Sequence, residues 1–157
     1  MSNVTWAKEQ ETGIPILDDQ HKILYRAVAN VESLVHDKSA HLEIENALND
    51  LARHIRVHFE TEEQMMAAFD VPERRSRARV THTRLFEDVA KLISDHDSRT
   101  HAFDAKRLTP LKNWLARHVE EDKNFATFLN STNAVVNVVN KIILSAARYV
   151  RVFMTTP

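Results

Sequence analysis

Along most of this chain, apolar residues recur in alternating steps of three and four, and that spacing constrains the fold more than anything else in the sequence. It is the repeat of helices that bury one seam against their neighbours in a bundle. A first stripe runs Ile14, Leu17, His21, Leu24, Val28, Val31 and Val35; its helix is expected to start near Asp18, with Ile14 and Leu17 on an incoming arm. A second runs Ile44, Leu48, Leu51, Ile55, His58, Glu62, Met65 and Phe69. A third runs Ala78, His82, Leu85, Val89 and Leu92, and a fourth Leu108, Leu111, Leu115, His118, Asp122, Phe125 and Leu129. A fifth runs Val135, Val139, Ile142, Ala146, Tyr149 and Phe153. The joints are short at Asp37 to Ser39, Asp70 to Pro72 and Asn130 to Asn133, and longer from His96 to Asp104. Short connections favour antiparallel neighbours. The expectation is an all-α chain: an antiparallel up-down-up-down four-helix bundle over residues 1–129, and an additional C-terminal amphipathic helix over 130–157. One Gly and four Pro are too few for the turns of a sandwich or barrel.

The stripes contain a conflict. Each of the first four places a His where the seam should be buried, the second adds Glu62 one turn after His58, and the fourth adds Asp122 one turn after His118. A lone seam His is usually a hydrogen-bonded core residue, and His58 with Glu62 alone could be an exposed helical pair. The joint pattern is harder to accommodate. Two buried carboxylates repel each other, and no seam carries a Lys or Arg to pair with them. A dication, or two, removes the conflict. Four imidazoles and two carboxylates suit two metal ions better than one, with Glu62 and Asp122 shared between them. The chain has no Cys, so thiolate sites are excluded. An imidazole-rich set with oxygen donors suits Fe ahead of Mn or Zn.

Gly13-Ile14 followed by Asp18-Asp19-Gln20-His21, then His58-Phe59 with Glu62-Glu63, then Trp114-Leu115 with His118, resembles a bacterial hemerythrin. The resemblance runs from about Trp6 to Phe128. It implies a cofactor of two iron ions with a bridging oxygen species, and reversible binding of O2 or another small diatomic or anionic ligand. The metal set it implies here is His21, His58, Glu62, His82, His118 and Asp122. The sequence departs from the family in two places. The third helix should carry His-x3-His, but the position one turn before His82 is Ala78. On the fourth helix the family spaces its His and Asp five apart, whereas Asp122 follows His118 by four. One ion would therefore lose an imidazole, and His54, one turn before His58, is a candidate replacement.

The remaining histidines His36, His41, His96 and His101 sit near helix ends or in the long connection and are expected to face solvent. The run Arg74, Arg75, Arg77, Arg79 and Arg84 reads as a solvated face or a docking patch for an acidic partner. Trp114 reads as packing. The fifth stripe, opposed by Lys141, Arg148 and Arg151, is open to folding back on the bundle, to homodimer formation and, last, to interfacial membrane contact. A net charge of −1 gives no general attraction to nucleic acid. The N-terminus has no apolar signal core, so the expected location is cytoplasmic. An O2-binding protein for storage, delivery or sensing comes first. An oxidase, peroxidase or nitric-oxide-reactive enzyme comes second, and a redox-sensing module third.

Overall fold

The computed structural model describes residues 6–98 and 103–131. Among them are four α-helices and no strand: α1 (Pro15–His36), α2 (His41–Ala68), α3 (Pro72–Asp97) and α4 (Thr109–Ser131). Short 3-10 turns at Lys8–Gln10 and Ala105–Leu108 precede α1 and α4. The fifth stripe, its assignment to a separate segment and His101 lie outside the described residues. No described helix is long and apolar enough to cross a membrane.

Helix α1 begins at Pro15, earlier than the Asp18 expected from its stripe, so Leu17 is helical. Proline is well placed there, because a helix's first N–H groups lack an intrahelical partner anyway. Asp18, in the first turn, folds the incoming arm onto the helix. Its Oδ1 accepts from the backbone N–H and the hydroxyl of Thr12 at 2.7 and 2.8 Å, and its Oδ2 accepts from Gly13 N–H at 3.1 Å. Gly13 has φ +81°, a backbone region that side-chain-bearing residues rarely adopt. That arm carries Trp6 onto the core.

Helices α1 and α2 close with the same device. The residue after each C-cap, Lys38 and Asp70, turns to φ 53°. Ser39 N–H then donates to Leu34 O at 2.9 Å, and Val71 N–H to Met66 O at 3.1 Å. These bonds satisfy carbonyls the helix leaves open and reverse the chain at once.

The seams pack as two apolar clusters. The larger includes Leu24, Val28, Leu48, Ile55, Leu85 and Leu115. The smaller is built from Ile14, Leu17, Met65, Met66, Phe125 and Leu129. Each fully buried aliphatic or Phe side chain contributes about 1.5–3 kcal/mol. Where one cluster gives way to the other along α1, α2 and α4 stand the buried polar residues His21, His58, Glu62, His118 and Asp122. Helix α3 adds His82 to this polar layer but only the partly buried Ala78 to the smaller cluster.

His96 corrects an expectation. It is buried, its Nε2–H donates to the His41 carbonyl at 2.9 Å, and its ring stacks on that of His41 with centroids 3.9 Å apart. It therefore pins the start of α2 to the end of α3. Of the other terminal histidines, His36 is exposed and His41 half-buried.

Candidate metal centre

The helices bring six side chains from four seams into one buried layer. The Nε2 atoms of His58 and His118 lie 2.8 Å apart. Asp122 Oδ2 is 2.9 Å from His21 Nε2, 3.4 Å from His118 Nε2 and 3.6 Å from His58 Nε2. Glu62 Oε2 is 3.2 Å from both His82 Nε2 and His118 Nε2, and 3.6 Å from His58 Nε2. Two overlapping groups of donor atoms result: His21, His58, His118 and Asp122, and beside it Glu62, His82 and His118. The spacing of four between His118 and Asp122 still turns both side chains into the layer, since residues four apart share a helix face.

His54 stands apart from both groups. It is half-buried, and burial is the first cause of its lowered pKa, opposed by Asp50. Ala78 lines a cleft of about 380 Å³ whose walls also include Glu62, His82, His118 and Asp122. The layer is thus reached from the surface on the side where a further imidazole is absent.

The surroundings hold the imidazoles in a chosen tautomer. His58 Nδ1–H donates to Gln20 Oε1 at 3.2 Å, Gln20 donates to the Thr61 hydroxyl at 2.9 Å, and that hydroxyl donates to Val57 O at 2.8 Å. His82 Nδ1–H donates to Glu63 Oε1 at 3.3 Å, and Glu63 Oε2 accepts from Arg79 Nε at 2.7 Å. Such outer contacts leave the Nε2 lone pairs turned inward and raise the basicity of the rings. Phe59 stacks on His82 at 3.6 Å, Trp114 on His118 at 4.4 Å and Trp6 on His21 at 5.7 Å. Trp114 packs, as expected, but against a site imidazole.

The electrostatics follow from burial without counter-charge. Burial, then His118, pushes the His21 imidazole down to about 4. Burial likewise holds His58 well below its usual value, against the pull of Glu62. Burial raises Asp122 well above its usual value, and the charge of Glu62 adds to it. For Glu62 burial also pushes upward, but His118, Asp122 and His58 together outweigh it and hold the acid well below its usual value. The two acids are thus shifted in opposite directions, Asp122 upward and Glu62 downward.

These residues fit a bound cation. Glu62 Oε2 is buried with no hydrogen-bond partner among the described residues. Of two imidazole nitrogens facing each other at 2.8 Å, only one can carry a hydrogen. A positive ion among them would satisfy the orphaned carboxylate oxygen and offset the repulsion between Glu62 and Asp122. The donors are nitrogen and oxygen with no sulfur, which suits iron, manganese or zinc.

Gln20, Thr61 and Glu63 are functional neighbours that seam spacing does not reveal, because each lies one position off its stripe. Their signal is adjacency to a seam ligand candidate: Gln20 precedes His21, and Thr61 and Glu63 flank Glu62.

The layer and the four helices around it define a helical, metal-binding protein. Comparison with known proteins narrows the class: the chain belongs to the hemerythrin family, matching the hemerythrin HHE cation binding domain over residues 12–127. It is 28% identical over 130 residues to a bacteriohemerythrin of Pseudomonas paraeruginosa, covering 78% of each chain. It is 27% identical over 127 residues to a bacteriohemerythrin of Pseudomonas aeruginosa, again covering 78% of each. No solved structure matches the chain significantly.

Proposed function

We propose that the chain is a hemerythrin-like non-haem di-iron protein that binds O2 or a related small ligand through an altered ligand set. In this reading the helices run up-down-up-down, which the tight reversals after α1 and α2 support. His21 and His58 would hold one ion and His82 and His118 the other, with Glu62 and Asp122 supplying the carboxylate donors. The observation that carries the reading is the convergence of four Nε2 atoms and two carboxylates in a layer between two apolar clusters. Iron bound there would supply the redox couple and the open position for the ligand. The chain's own residues do the rest. Leu24, Ile55, Phe59, Leu85 and Leu115 are all buried beside the layer and exclude water from one side of it. Gln20 and Glu63 fix two imidazoles in the tautomer a cation needs.

Ala78 sets this chain apart. With no imidazole there, an ion held by His82 and His118 would keep a position open toward the cleft that Ala78 lines. That position favours exchange with solvent over stable storage, and gives the enzyme reading (turnover of peroxide, O2 or nitric oxide) its one specific support. The reduced, iron-loaded protein should therefore oxidise quickly in air, and Ala78→His should slow the oxidation. Absorption spectra recorded before and after admitting air test this. An oxygenated spectrum lasting hours in the unmodified protein would contradict it.

A further inference from the structure

The cleft beside Ala78 is lined with charge. Behind it are Glu62, His82, His118 and Asp122, and toward the surface stand Arg74, Arg77 and Glu121. Arg74 is half-buried, with its guanidinium 5.2 Å from the Phe125 ring centre and 5.8 Å from that of Phe128. Among the described residues neither Arg74 nor Arg77 has an ion-pair partner, whereas Arg79 of the same run is paired with Glu63 at 2.7 Å. The basic run therefore divides: Arg79 is committed to the structure, while Arg74 and Arg77 face a cavity. A guanidinium held against aromatic rings and lacking a carboxylate is placed to receive a planar anion, since its donors match two oxygens side by side.

We propose that this cleft is a binding site for a small carboxylate or a similarly sized planar oxyanion. The anion enters beside Ala78, is held by Arg74 and Arg77, and occupies the space that an imidazole at position 78 would fill. The inference rests on the iron reading of the layer and adds the chemistry of the ligand that completes it. The absence of a large side chain at 78 gives the space, and Arg74 and Arg77 give donors matched to paired oxygens, while the cations of the iron reading would offset Glu62 and Asp122 behind them. Glu121, on the same wall, opposes an anion and sets the affinity against them.

The test is titration of the iron-loaded full chain with formate, followed by visible absorption, with iron content measured on the same sample. A saturable spectral change is expected. Arg74→Ala and Arg77→Ala should each weaken it about tenfold, the loss typical of a charge-assisted hydrogen bond, and Glu121→Gln should tighten it. Ala78→His should abolish it by filling the space. Arg77 is exposed, so its replacement leaves the core intact. A sample that carries iron but shows no saturable response, or Arg77→Ala and Ala78→His variants that both keep the formate affinity of the unmodified chain, would overturn the proposal alone. A sample that takes up no iron would overturn the iron reading, and this inference with it.

Discussion

Glu62 Oε2 lies within 3.6 Å of three imidazole nitrogens, as Asp122 Oδ2 does, but has no hydrogen-bond partner among the described residues. Removing it would leave two cations unscreened from each other, whereas His54 joins neither group of donors. Glu62→Ala should lose nearly all bound metal, while His54→Ala keeps at least about four-fifths of it; equal metal content in the two purified variants would contradict the assignment. The seam residues of this layer were legible in the sequence because a polar group at a buried heptad-like position conflicts with its neighbours. His21, His58, Glu62, His82, His118 and Asp122 all announce themselves that way. His96 obeys the same rule, one step of four beyond Leu92, and is missed only when the third stripe is cut short at Leu92. Gln20 and Thr61 are different. They are buried beside the seam, and nothing in the spacing separates them from solvent-facing neighbours.

At the scale of an element, α1 shows where a periodic pattern stops being informative. The stripe gives its buried face but not its start, which depends on Asp18 gathering Thr12 and Gly13 into a cap. Periodicity cannot register a bond between a helix and the arm before it. Asp18→Ala should cost about 3 kcal/mol, because it orphans two backbone N–H groups and a hydroxyl that now donate to a carboxylate. Urea unfolding measures this, and a loss under about 0.5 kcal/mol, the range of an ordinary surface change, would show that the arm is held by other contacts. Helix α3 makes the converse point. Its stripe marks Ala78 as a seam position, and the small side chain there, unremarkable to a periodicity argument, opens the cleft. The consequence appears only once α2 and α4 are in place around it.

For the whole molecule, the polar layer lies between two apolar clusters built on the same helices. The helical class followed from seam spacing and the scarcity of Gly and Pro, and the family from a handful of spaced residues. The stretch after Ser131 lies outside the described residues, and its regular stripe leads us to propose that it mediates association. A chain ending at Asn130 should sediment in a lower oligomeric state than the full chain; an unchanged oligomeric state with lower thermal stability would favour packing back onto the bundle. The central claim is that six donors from four helices hold two irons. Elemental analysis of the full chain, produced with iron in excess, tests it most directly. The account predicts close to two iron atoms per chain, and a value near one, or zinc alone, would contradict it.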